Sequence, residues 1–244
     1  MGDFLFPQKY HLESVESVKH IVYVPWEEKL DVLFWRGSTT GGMFKKNYPW
    51  RKYHRTNLIK WERDFRTRNP LQVFDSGENF SKYYENYPKI NNPQFKTMID
   101  VGFNRMVQND VETHREIERE FGLKKPLDYK NTLKFKYLLV IDGNTWPARF
   151  QSYLSSGSVL LYNGIFEDWF NWKIKPWIHY VPVNLDFSDL EEKLIWLKNN
   201  EEKAKEIVEN ARKIMVKLDD HKQMQCYAGL FFMEYQRLYR DDSS

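Results

Sequence analysis

An arginine, a serine, two threonines and three glycines stand together at residues 36–42, RGSTTGG, directly behind the apolar run VLFW. Glycines let main-chain N–H groups approach a ligand closely, and successive N–H groups form a nest for an anion. Ser38 and Thr39 add hydroxyl donors, and Arg36 adds positive charge. The spacing is neither that of a Walker loop nor that of the dinucleotide fingerprint. From these residues alone the stretch is a phosphate site or an ordinary glycine-rich turn.

A second cluster, DGNTWPAR at residues 142–149, follows the most apolar run of the chain and leads into a helical pattern. A helix start presents unpaired N–H groups and partial positive charge to an anion. Arg149, one turn in, has the geometry to grip a phosphate bidentately, and Asp142 at the strand end suits a ribose hydroxyl. The structural alternative makes Asp142 a turn former and Arg149 its partner. A third stretch, KPWIHYVPV at 175–183, holds His179, which is a catalyst or a hydrogen-bonded structural residue. Asp100, Asp142 and Glu167 are the carboxylates near strand ends available as a base, each better suited to a structural or ribose-binding place. With six scattered histidines, no HExxH and no cysteine pair, no metal site is expected. No G-x-S-x-G nucleophile elbow occurs either.

These clusters need elements to hold them. Short β-rich runs recur at 32–35, 96–103, 137–142, 158–163 and 179–183. Several are continuously apolar, as in a parallel sheet covered on both faces. Helical patterns fall at 50–65, 112–121, 147–154, 166–172, 201–218 and 222–239, and SDLEEKLIWLKNN offers Ser188 as an N-cap with Glu191 completing a capping box. Alternating strands and helices predict an α/β fold with a mostly parallel sheet, and ligands in such sheets bind beyond the carboxyl ends of the strands. Residues 71–93, rich in turn formers and without a period, predict an exposed insertion or lid.

Composition bounds the rest. A chain of 244 residues suits one large domain or two small ones, at ~100–200 residues each. The net charge of +3 and the scattered lysines and arginines argue against a nucleic-acid partner. The abundant Phe, Tyr and Trp predict an aromatic core, with stacking platforms for sugars or bases as the alternative. No membrane-length apolar run or signal peptide stands out. Cys226 is the only cysteine, so no internal disulfide can form; it is expected to be a small buried apolar residue.

With these motifs in order, the sequence resembles the capsule-associated-protein (Cap-type) glycosyltransferases, which include the Rumi-type protein O-glucosyltransferases and the fungal xylosyltransferases; the fungal branch is the nearer in look. The carriers are WEEKLDVLFWRGSTTGG followed by HRTNLI, then KYLLVIDGNTWPARFQSYLSSGSVLL, then FEDWF and KPWIHYVPVNLDFSDL. The resemblance implies one Rossmann-like half of a GT-B fold, a UDP-sugar donor, a hydroxyl acceptor on protein or glycan, and inversion at the sugar carbon. It implies that Ser38 contacts the diphosphate beside Arg36 and Thr39, and that Arg55 pairs with phosphate. It also implies that Asp142, Gly143, Asn144, Thr145, Trp146 and Arg149 line the UDP pocket, with no cofactor or metal.

The family's catalytic aspartate, in an Asn-x-x-Asp motif of a longer N-terminal half, is expected upstream of the matching region. Tyr162 stands where many fungal members have lysine. Residues 1–25 are accordingly expected to be a stub of the acceptor half, 26–220 the nucleotide-sugar domain, and 221–244 a helix packing back on it. Family resemblance implies the secretory pathway. The alternative function is a nucleotide- or glycan-binding relative, or a truncated product, that lacks the base.

Overall fold

Strand β1, Leu30–Ser38, is buried along all but its last residue, and its side chains alternate between two cores as a pleated strand requires. Leu33 and Trp35 join one cluster with Trp50, Leu58, Phe65, Ile117 and Leu194. Val32 and Phe34 join the other with Phe135, Leu138, Phe150 and Met215. Covering both faces is why the strand is a continuous apolar run. The protein is described as a computed structural model over residues 5–7, 23–68, 98–218 and 220–241. The expected insertion at 71–93 and most of the expected stub at 1–25 lie outside the described residues.

Strands β2 (Met98–Arg105), β3 (Phe135–Ile141), β4 (Val159–Asn163) and β5 (Val181–Pro182) complete a five-stranded sheet ordered β2-β1-β3-β4-β5. Every pairing in it is parallel. The chain therefore leaves β1 toward one edge of the sheet, forms β2, and returns to lay β3 on the other side of β1. That reversal makes the gap between β1 and β3 a topological switch point, where a crevice opens beyond the carboxyl ends of the strands.

Helices α1 (His54–Arg68), α2 (Val111–Phe121), α3 (Tyr129–Thr132), α4 (Arg149–Leu154), α5 (Leu190–Asn199), α6 (Glu201–Leu218) and α7 (His221–Asp241) flank the sheet. α1, α2 and α5 cover one face, and α4 covers the other. α6 sends Ala204, Ile207 and Val208 to the first core and Ala211, Met215 and Leu218 to the second. An α/β fold with a parallel sheet flanked by helices, as the alternation predicts, is what forms.

Several boundaries differ from the sequence reading, each for a local reason. Residues 50–52 form a 3-10 turn, and Tyr53 is extended, so α1 begins only at His54. Residues 166–172 make turns instead of a helix, with Trp169 and Phe170 buried in the second core. Ser188 is not an N-cap: α5 starts at Leu190 behind Asp189, whose carboxylate instead accepts the Asn184 N–H at 2.9 Å. Cys226 is exposed on α7, contrary to expectation. α7 packs back only through its start. Met224 is buried and Tyr227 meets Trp169 at 5.1 Å, whereas Leu230, Met233 and Tyr239 are 61%, 68% and 72% exposed. Phe6 rests on that outer stretch, against Phe231 and Phe232.

Candidate functional site

The two sequence clusters meet at the switch point. The Gly41 N–H donates to Asn144 Oδ1 at 2.9 Å, joining the loop after β1 to the loop after β3. Gly41 has φ 86°, and a Cβ there would stand 3.2 Å from the carbonyl oxygen of Gly143, so both its conformation and its neighbour favour glycine. The Gly143 N–H turns back to the Thr145 carbonyl at 3.1 Å, which closes the second loop tightly.

Arg55, in the first turn of α1, lies directly behind Gly143: a Cβ on that glycine would come within 2.9 Å of Arg55 Nη2. Its Nε donates to the Asp142 carbonyl and its Nη1 to the Ser38 carbonyl, both at 2.9 Å, so the guanidinium staples the ends of β1 and β3 together. Arg149 Nη1 donates to the Arg36 carbonyl at 2.5 Å. Burial, and then the neighbouring charge of Arg149, lower Arg55 to about 10, against the pull of Asp142. Two cations are thus held side by side behind the joined loops. Ser38 is half-buried beside them and makes no side-chain hydrogen bond among the described residues.

Other expected site residues have different duties. Arg36 is 3% exposed and turned into the core, where Nη2 meets Asp100 Oδ1 at 2.7 Å and Nη1 donates to the carbonyls of Trp35 and Asp100. Only its own carbonyl reaches the site. The Thr39 hydroxyl is engaged twice by Val107, donating to its carbonyl at 2.6 Å and accepting its N–H at 2.7 Å. Trp146 packs among Phe150, Tyr162 and Phe170 beneath the loop.

The Asp142 carboxylate, expected on a ribose, instead accepts the N–H groups of Ile165 (2.6 Å) and Phe166 (3.1 Å) and meets the Tyr162 hydroxyl at 2.9 Å. It anchors the loop after β4. Gly164 makes the anchor possible, because a Cβ there would fall 2.3 Å from Asp142 Oδ1. Burial, then the charge of Asp142, push the Tyr162 phenol far upward, so it is a neutral donor. Asn144 and Thr145 are exposed at the mouth. His179 takes the structural option, its Nδ1 accepting the Lys175 N–H at 2.9 Å.

A hollow of about 400 Å³ opens in front of Gly41, Asp142 and Gly143. Lys52, His54 and Asn57, from the approach to α1 and its first turn, form one wall. Ile165, Phe166 and Leu185 form an apolar lip. His54 and Asn57 were not foreseen as wall residues. Their signal was available, since residues three apart share a helix face and Arg55 between them was already a candidate. His54 stacks on Phe187, centroids 5.5 Å apart, and its Nε2 pairs with Asn163 Oδ1. Burial lowers its pKa below 6.5, outweighing the Asn163 bond and the Asp142 charge. Among the described residues, no three His, Cys, Asp or Glu side chains converge as a metal ion would need. None of the described helices is long and apolar enough to cross a membrane.

Residues 8–243 match the model of glycosyl transferase family 90. The chain is similar to Uncharacterized protein 179R of Invertebrate iridescent virus 6, 31% identical over 198 residues, which is 78% of this chain and 15% of that protein. It is similar to Protein O-glucosyltransferase 3 of Homo sapiens, 33% identical over 123 residues, 50% of this chain and 24% of that one. Protein O-glucosyltransferase 1 of Bos taurus is 28% identical over 196 residues, 78% of this chain and 44% of that one. The chain thus spans less than half the length of each of these relatives. Among solved structures, TarM superposes with a TM-score of 0.52 and 12% identity over 86% of this chain and 37% of that chain, a likeness of fold alone.

Proposed function

Because this chain belongs to glycosyl transferase family 90, we propose that it binds the diphosphate of a UDP-sugar at the β1–β3 switch point and serves the transfer of that sugar, glucose or xylose, to a hydroxyl on protein or glycan. The observation that carries the reading is the join of the two loops, Gly41 N–H to Asn144 Oδ1, with Arg55 and Arg149 gathered behind it. As the glycosidic bond breaks, the leaving diphosphate gains negative charge. Fixed guanidinium groups and N–H dipoles stabilise that developing charge more than they stabilise the bound donor, which is what lowers the barrier.

Arg149 is the more exposed partner of the pair. One donor is committed to Arg36, and the remaining N–H groups are in place for phosphate oxygens through charge-assisted bonds. Arg55 acts chiefly through its charge and by fixing the loop ends. The Ser38 hydroxyl and the amides after Gly41 supply neutral donors. In this reading no metal is needed, because the arginines neutralise the leaving group.

Inversion at the sugar carbon requires a base within hydrogen-bond reach of the acceptor hydroxyl. Asp100 is sealed with Arg36 and Lys124, and Asp142 is engaged by the loop after β4. Glu167, the third candidate, is exposed next to the apolar lip; with the other two engaged, this reading takes the base from outside the described residues, as the family resemblance implies. The engagement of Asp100 and Asp142 favours, as a second reading, a chain that binds nucleotide without turning it over. The protein O-glucosyltransferase relatives support a protein acceptor and, with it, work in the secretory pathway.

Incubation with UDP-glucose or UDP-xylose and a panel of hydroxyl acceptors separates the two readings by product formation. Calorimetry decides what they share: saturable UDP binding supports it. No heat at millimolar UDP, from protein shown to be folded, rejects it.

A further inference from the structure

Asn163 ends β4 beneath the hollow, and its amide can be oriented from its neighbours alone. On one side lie the carbonyl oxygens of Val183 (3.4 Å) and Asn184. Carbonyls only accept, so the NH2 group faces them and Oδ1 faces His54. Oδ1 in turn only accepts, so the His54 Nε2 that meets it carries the proton. In the neutral ring Nδ1 is then a bare acceptor, and it has no partner among the described residues. The ring cannot turn freely, being stacked on Phe187 and tied to Asn163, and His54 lines the hollow.

Building on the reading of a bound UDP-sugar, we propose that His54 is a specificity-determining residue whose Nδ1 accepts a hydrogen bond from an uncharged N–H or O–H of the donor, either on the nucleoside or on the sugar. The diphosphate offers no such group at neutral pH, so His54 reads what the arginines cannot. Burial, and behind it the charge of Arg55, keeps the imidazole neutral for this work, against the Asn163 bond and the Asp142 charge. Lys52 and Arg55 flank it on its own stretch of chain, and the positive end of α1 disfavours a second proton. Asp142 from the end of β3 is the opposing charge, but its oxygens are already engaged. Phe187 and Asn163 are uncharged, and Asp186 is turned to the Ser188 N–H.

Two variants isolate the acceptor. His54→Gln places an amide NH2 where Nε2 donates to Asn163 and removes the acceptor at Nδ1. His54→Asn keeps an acceptor near Nδ1 and gives up the Asn163 contact. Calorimetric titration with UDP and with UDP-glucose should show affinity about 3–10-fold weaker in His54→Gln, as for one hydrogen bond, and partly restored in His54→Asn. Equal loss for both ligands places the donor group on the nucleoside, and loss for UDP-glucose alone places it on the sugar.

If wild-type protein binds UDP but His54→Gln binds both ligands as tightly, the His54 proposal falls while the UDP reading stands. If the wild type binds neither, both fall. Nitrogen-15 NMR of the wild-type ring gives a check that no variant's folding can obscure: the Nε2–H tautomer is expected at pH 7, and an Nδ1–H tautomer overturns the proposal.

Discussion

Arg55 directs its N–H groups to main-chain carbonyls at the ends of β1 and β3, whereas Arg149 makes one such bond and is half-exposed. Replacing them should therefore separate stability from binding. Arg55→Ala removes charge-assisted bonds to buried acceptors and should cost about 2–4 kcal/mol of stability, read in urea unfolding, along with UDP binding. Arg149→Ala should weaken UDP binding by about 1.5–3 kcal/mol with little change in the unfolding midpoint. Equal losses of stability in the two variants would contradict this division.

That Arg149, Gly143 and Asn144 lie at the switch point was readable because a strand end followed by a helix start positions them whatever the wider fold. The inward turn of the Arg36 side chain was not readable, because residue type does not show where a strand stops. β1 runs on to Ser38, so Arg36 is still inside the strand, on the same face as Phe34, over whose ring its guanidinium lies at 5.0 Å. His54 was legible as a wall residue from its place in the first turn of α1, but its orientation was not, because that depends on Asn163 and Phe187, each more than a hundred residues away.

At the scale of elements, the continuous apolar runs fixed the strands, since a strand buried on both faces leaves little else for its residues to be. Their order was not readable: neighbours in the sheet depend on crossovers that no local pattern encodes, and the switch point emerges only from that order. Helix starts were misplaced where a neighbouring turn takes up the expected cap, as where Asp189 holds the Asn184 N–H. The last helix was read as packing back because it is rich in apolar residues, yet only its first turns are covered. Met224→Ala should accordingly cost about 2–5 kcal/mol, the range for emptying a buried site, while Met233→Ala, at 68% exposure, should stay within about 0.5 kcal/mol. Comparable midpoints for the two variants in thermal unfolding would show that the outer stretch of α7 is covered in solution.

Over the whole molecule, acid should weaken the fold through two partly buried imidazoles. Burial holds both His54 and His179 below 6.5. The folded state thus binds fewer protons than the unfolded chain, so their contribution is intact above pH 6.5 and is lost as pH falls from there through the folded values. The melting temperature should drop between pH 7.5 and 5.5, less so in a His54→Gln, His179→Gln double variant; a rise on acidification would contradict the assignment.

In the proposed reading, two loops brought together by the sheet's reversal hold a diphosphate between Arg55 and Arg149. The measurement closest to it is calorimetric comparison of UDP with UMP, in the wild type and in Arg149→Ala. The wild type should prefer UDP by about 10–100-fold, the worth of one charge-assisted bond to the second phosphate, and Arg149→Ala should erase most of that preference. Equal affinity for UDP and UMP in the wild type, or a preference untouched by Arg149→Ala, would contradict it.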